Sequence, residues 1–156
     1  MSERILVPVD GSPLSQRALE VACEEFPHAK IIALHVIDPA EPGYSIYGSD
    51  HDLTTEPRHG SEAWYERAHE LTDDLFETIT DLADEHDVDL ETATVVGRPD
   101  REIIDYAADE DVDHVIIGSH GRTKDARVML GSITEAIAFR APMRVTLIRG
   151  EPDLQE

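Results

Sequence analysis

The chain has 156 residues, 34 of them acidic and 13 basic, for a formal net charge of -21. That length fits one domain over residues 1–150 with a short tail at 151–156, and 40% apolar residues suffice for a core without disulfides or a structural metal. Such an acidic surface repels phosphate backbones and anionic lipid, which excludes general binding of nucleic acid or membrane surfaces and leaves a local cationic pocket as the only route to a polyanion.

The cations are 11 Arg and only two Lys, Lys30 and Lys124. Abundant carboxylates with almost no lysine suit a halophilic cytoplasm, where charge is screened within about 3 Å at molar salt. Cys23 is the one cysteine, so neither an internal disulfide nor a cysteine-based zinc site can form. The first apolar run is too short for a signal peptide or a membrane span, and a cytoplasmic protein is expected.

In chain order, five short apolar runs read as strands: Ile5 to Val9, Ile31 to Ile37, Thr92 to Val96, His114 to Ile117 and Arg144 to Ile148. They are rich in β-branched residues, and several are continuous rather than alternating, as in parallel strands buried on both faces. Helical stripes lie between them: Leu14, Ala18, Val21 and Ala22; Trp64, Ala68, Leu71, Leu75, Ile79 and Leu82; Ile103, Ile104, Ala107 and Ala108; Ile133, Ala136 and Ile137. Ser12-Pro13 reads as a helix start, and Ser132 to Glu135 as a capping box. The alternation predicts an α/β fold, an open parallel sheet with right-handed crossovers and helices on both faces. One long irregular stretch, the acidic excursion at 38–60, interrupts it, and a loop of that length is either functional or a solvated detour.

Ligands of open α/β sheets bind beyond the carboxyl ends of the strands. The first strand ends in Val9-Asp10-Gly11-Ser12, which is not a glycine-rich dinucleotide fingerprint. An acid there can take a ribose hydroxyl or help hold a cation, or simply start a turn. The fourth strand runs into a loop from Gly118 to Gly131 and a helix opening at Ser132. Gly118 and Gly121 permit positive φ and close approach of backbone N–H groups to an anion, and the helix start favours a phosphate. That loop holds Arg122, Lys124 and Arg127 against Asp125, a net of +2. By contrast, residues 50–91 carry 15 acids and two bases, a net of -13. The reversal of sign marks the loop. At the third tip, Gly97-Arg98-Pro99, Asp100 and Glu102 fall in the first helical turn and Arg98 reads as structural.

Gly118-x2-Gly121-x9-Gly131-Ser132 resembles the nucleotide-binding signature of the ATP-binding branch of the universal stress protein family. Ile5 to Ser12, Leu34 to Asp38, the Gly97-x-Pro99 turn and Val115 to Gly121 resemble that family's other landmarks, in its order. The resemblance spans nearly the whole chain. It implies a five-stranded sheet in order 3-2-1-4-5, related to Rossmann-like and adenine nucleotide alpha hydrolase-like folds, that binds ATP, often with Mg²⁺. The implied nucleotide-binding set is Pro8, Val9, Asp10, Val36, Gly118, Ser119, His120, Gly121, Arg122, Gly131, Ser132 and Ile133. Within it, Asp10 lies by ribose and phosphates, the main chain of Val36 meets adenine, and the glycine loop wraps ribose and phosphates. The resemblance also implies a homodimer formed by pairing the last strand, Met143 to Ile148, with its copy.

Other constellations are weaker. Asp50-His51-Asp52 is the best metal-like cluster, but it lies in the irregular stretch and reads as solvated loop. Ser12, Ser119 and Ser132 have no paired base, so backbone capping is preferred over nucleophilic use. His120 is equally suited to contacting phosphate or capping a turn. The expectation is a nucleotide-occupied sensor or regulator in stress response. Two alternatives are a slow ATPase or autophosphorylating phosphotransferase, with His120 or Asp10 as base, and an interaction protein that has lost its nucleotide.

Overall fold

The computed structural model describes residues 3–39, 61–119 and 131–149. Along these, strands and helices alternate as β1 (Arg4–Pro8), α1 (Pro13–Glu25), β2 (Lys30–Ile37), α2 (Glu62–Glu85), β3 (Leu90–Val96), α3 (Pro99–Asp109), β4 (His114–Gly118), α4 (Ser132–Arg140) and β5 (Arg144–Ile148). The strands form one parallel sheet in order β3-β2-β1-β4-β5: the apolar runs predict the open parallel sheet, and the family resemblance implies this order.

Alternation along the strands explains why the apolar runs are continuous. Ile5, Val7 and Val9 face one side with Ile31, Ala33 and Ile116, where α1 and α2 supply Ala18, Leu19, Ala22, Ile79 and Ala83. Leu6 faces the other side with Ile32, Leu34, Val36, Val115 and Ile117, where α3 and α4 supply Ile103, Ala107 and Ile137. Both faces of β1 and β2 are thus sealed, and each large aliphatic side chain buried contributes about 1.5–3 kcal/mol of transfer free energy. A third cluster packs Trp64 and Ala68 of α2 on Ile37 at the carboxyl end of β2.

The helix stripes need three corrections. In α1 the buried face runs through Leu14, Ser15, Ala18, Leu19, Ala22 and Cys23, which leaves Val21 at its margin. In α3, Ala108 is exposed because the inward face centres on Ile103 and Ala107. In α4, Ile133 is 38% exposed, and Thr134 and Ile137 point inward instead.

The two helix-start signals also differ in outcome. Ser12 caps α1, its hydroxyl accepting from the Ser15 N–H, with Pro13 in the first turn. The capping box at Ser132 does not form. The first helical bond runs from the Glu135 N–H to the Gly131 carbonyl at 2.8 Å, so Gly131 is the N-cap and Ser132 is already helical.

One pairing in the sheet is short. β1 and β2 match over Arg4↔Lys30 to Pro8↔Leu34, but β1 and β4 match only at Ile5↔His114 and Leu6↔Val115. The Val9 N–H donates to the Leu34 carbonyl at 2.9 Å, so strand alternation turns Pro8 toward β4. Proline has no N–H to give. The ladder between β1 and β4 therefore ends early.

Candidate functional site

Strand order makes β1 and β4 the switch point of the sheet: chain connections run to one side from β1 through β2 to β3, and to the other from β4 to β5. Crevices at such points are where open α/β sheets take ligands. The β1–β4 ladder ends early at this point, and three chain segments lie at the carboxyl edge around it.

The first is the turn after β1. Asp10 is half-buried, and its Oδ1 accepts from the Ser12 N–H at 2.9 Å, while Gly11 takes φ 82°. This side chain-to-backbone turn fixes the carboxylate at the strand tip. Its second oxygen has no hydrogen-bond partner among the described residues. Behind it, Ser12 and Ser15 are buried, and the Ser15 hydroxyl donates to the Ser12 carbonyl at 3.0 Å. Ser12 is thus engaged in capping, as expected, and is not free to attack a ligand.

The second segment is the end of β4 with the start of α4. Gly118 closes the strand opposite Ile148. It is extended, so the positive φ that glycine permits is not used here; the position supplies the lack of a side chain. Ser119 is 4% exposed. Its N–H donates to the Ile148 carbonyl at 2.8 Å, and its own carbonyl accepts from the Gly131 N–H at 2.8 Å. The Thr134 hydroxyl donates to the Gly118 carbonyl, also at 2.8 Å. These bonds hold the α4 N-terminus against the end of β4, with Ser132 and Ile133 exposed in its first turn. The free N–H groups and dipole of that turn favour an anion.

The third segment is the end of β2. Val36 is buried and pairs with Val95, and Ile37 with Val96. Next to it, His35 is 1% exposed with Nδ1 2.8 Å from the Val9 carbonyl, so this nitrogen carries the proton. That bond ties the tips of β1 and β2 together.

Of the expected site residues, Pro8, Val9, Asp10, Val36, Gly118, Ser119, Gly131, Ser132 and Ile133 lie at this carboxyl edge. His120, Gly121 and Arg122 lie outside the described residues, as do Lys124, Arg127 and the Asp50-His51-Asp52 cluster. Arg98 is structural, as expected: its guanidinium pairs with Asp100 at 2.9 and 3.3 Å. Among the described residues, no group of three or more His, Cys, Asp or Glu is placed to hold a metal ion, and no helix is long and apolar enough to cross a membrane. Sequence reasoning overlooked Thr134 and His35. Thr134 sat inside an apparent capping box, and His35 inside an apolar run with no polar signal around it.

The Asp10 carboxylate and the α4 N-terminus thus lie at one edge of the sheet, an acceptor after β1 and free N–H donors after β4. Known proteins share this fold. Universal stress protein MJ0577 of Methanocaldococcus jannaschii is 30% identical over 155 residues, covering 96% of each chain. The solved structure of MJ0577 superposes with a TM-score of 0.74 at 28% identity, covering 97% of this chain and 98% of that one. UspA from Lactobacillus plantarum gives the same TM-score and identity, covering 94% and 97%. A universal stress protein solved in complex with cAMP shares the fold at a TM-score of 0.66 and 20% identity. The model of the universal stress protein family matches residues 1–149. With one fold, one strand order and a match over nearly its whole length, the chain belongs to the universal stress protein family.

Proposed function

We propose that this chain binds an adenine nucleotide, ATP with Mg²⁺ in the first instance, and works as a nucleotide-occupied sensor or regulator in stress response. The observation that supports this reading is the early end of the β1–β4 ladder at the switch point of the sheet, with the Asp10 carboxylate fixed after β1 and the α4 N-terminus bonded to the end of β4. Phosphates take the free N–H groups of Ser132 and Ile133 and the glycine segment, with Gly118, Ser119, His120, Gly121, Arg122 and Gly131 around them. Asp10 takes the ribose or the cation, flanked by the backbone of Pro8 and Val9, and Val36 meets the base through its main chain.

The residues present fit the cation. Asp10 keeps one oxygen without a partner among the described residues, and Mg²⁺ is bound by one or two carboxylates together with substrate phosphates. The cation would neutralise phosphate charge beside an acid. Support from relatives is of the same kind: one universal stress protein was solved with cAMP and an Arabidopsis member with AMP.

In this reading residues 1–150 are a single universal stress protein domain residing in the cytoplasm. Chains pair through β5, an edge strand of the sheet with half-buried Val145, Thr146, Leu147 and Ile148. Unpaired edges of this kind recruit a second strand.

The test is direct. The purified protein is denatured and the supernatant separated by chromatography, and the emptied, refolded protein is titrated with ATP and Mg²⁺ in a calorimeter. An adenine nucleotide in the supernatant and saturable binding support the reading; neither result would leave an interaction protein without nucleotide. Formation of ADP that stops in an Asp10→Asn variant would instead make the chain a slow ATPase.

A further inference from the structure

β3 forms the second edge of the sheet: β2 pairs with it on one side, and no strand lies beyond it among the described residues. The pairing runs one to one without a bulge from Ile31↔Leu90 to Ile37↔Val96. The Ile31 N–H donates to the Asp89 carbonyl at 3.3 Å, and the Gly97 N–H to the Ile37 carbonyl at 2.9 Å. Successive residues of a strand direct their backbone groups alternately to one side and the other, so Asp89, Glu91, Ala93, Val95 and Gly97 turn theirs to β2. The N–H and C=O groups of Leu90, Thr92, Thr94 and Val96 therefore point away from the sheet, with no backbone partner among the described residues. Thr92 and Val96 are exposed, and Leu90 and Thr94 are half-buried.

Free edges are usually guarded by a lysine, a proline, a bulge or a very short strand. β3 has none of these. Leu90–Val96 is a run of seven residues, against five in β5, and contains neither lysine nor proline. Its one charge, Glu91, is tied to Lys30 of β2 at 3.0 Å. The chain around this edge is of a single sign. Residues 81–97 hold Asp81, Asp84, Glu85, Asp87, Asp89 and Glu91 and no Lys or Arg, a net of -6. Of these acids only Glu91 is half-buried; the rest are exposed. A second copy presenting the same edge would bring its own acids against these and be repelled. An extended segment with Lys or Arg at alternate positions meets the opposite sign, and a strand added to a sheet edge gains main-chain bonds whatever its side chains.

We infer that the free edge of β3 takes an extended basic segment of another protein as an added strand. The outward groups of Leu90, Thr92, Thr94 and Val96 bond to its main chain at the usual strand spacing of about 4.8 Å, and the acids from Asp81 to Glu91 select its charge. The inference goes beyond the nucleotide reading and does not depend on it. β3 and β5 are opposite edges of the sheet, so a partner on β3 leaves β5 to pair copies.

Amide hydrogen exchange followed by NMR tests this on the native chain, alone and with a short peptide of alternating valine and lysine. Without peptide, the amides of Thr92, Thr94 and Val96 are expected to exchange freely while those of Glu91, Ala93 and Val95 are protected. Saturating peptide should slow the first set by about 10-fold or more, the equivalent of one hydrogen bond each. Binding should weaken as salt rises from about 0.1 to 1 M, where the screening length falls from about 10 to 3 Å. Thr94→Pro removes an outward N–H and no bond to β2, the placement an edge strand tolerates. Its circular dichroism should match that of the native chain while the peptide's protection is lost; unchanged peptide binding in a folded Thr94→Pro overturns the inference. Outward amides already protected in the free monomer would mean that the chain's own residues occupy the edge. Protection that appears only as protein concentration rises would assign the edge to a second copy. Equal protection by a valine–glutamate peptide would remove the charge selection. Each of these three results also overturns the inference, and none bears on the calorimetry of ATP.

Discussion

The Gly131 N–H donates to the Ser119 carbonyl at 2.8 Å. This single bond joins the residue that leaves β4 to the residue that caps α4, so the segment between them departs from and returns to one point. Its placement defines what the neighbouring side chains should do.

Gly131 adopts φ -71° and ψ 158°, extended values open to any residue. A Gly131→Val substitution therefore carries no backbone strain. Its thermal midpoint should stay within a few degrees of the native value, while, on the proposed nucleotide reading, ATP binding by calorimetry is abolished because the new side chain would occupy the space assigned to a phosphate. Unchanged affinity would remove the α4 N-terminus from the site.

Thr134 is 4% exposed and its hydroxyl is the partner of the Gly118 carbonyl. Thr134→Val keeps the shape but leaves that buried acceptor unpaired, at a cost of about 1–3 kcal/mol. Urea denaturation should show this loss, and Thr134→Ser should recover most of it. A native-like midpoint for the valine variant would mean that α4 is held by its other contacts.

Cys23 is 1% exposed within the core against β1 and α2. Burial pushes its thiol up to about 11, with Glu24 and Glu20 adding to the effect. Since the thiolate is the reactive form, a disulfide reagent at pH 8 should leave the native protein unmodified and label it stoichiometrically in denaturant. Rapid labelling of the folded chain would contradict this packing.

His114 sits at the start of β4, 5% exposed, with Nε2 2.6 Å from the Thr146 hydroxyl and the Phe26 ring set edge-on at 5.5 Å. Burial holds its pKa below the ordinary histidine value; Arg144 acts in the same direction and Glu3 against it. The unfolded chain then takes up a proton before the folded one does. Stability is complete above the unfolded value of about 6.5 and falls as pH drops from there toward the lowered folded value. Denaturation midpoints measured from pH 7.5 to 5 should show the decline, and His114→Gln should flatten it. Equal slopes in the two proteins would assign the pH dependence to carboxylates.

Both core faces were legible because Ile5 to Val9 and most of Ile31 to Ile37 are apolar at successive positions, as strands covered on both sides require; the strand order came from the family resemblance. The site was legible as a place: Asp10, Gly118 and Gly131 all fall at strand ends or helix starts. Its internal wiring was not. Thr134 in Ser132-Ile-Thr-Glu135 is consistent with a local cap, and only the fold shows its hydroxyl spent on β4 instead. The early end of the β1–β4 ladder likewise depends on which way Pro8 faces, a property of register and not of composition.

The Ser119 N–H, bonded to the Ile148 carbonyl, ties the final residue of an edge strand to the very backbone that borders the crevice. Where copies dock along that edge, occupancy and assembly become reciprocal quantities: whatever factor a ligand applies to the dimer constant, the dimer applies to the ligand. One shared amide would then let a small molecule's presence be reported as a change in quaternary state, legible to a partner that never touches the ligand.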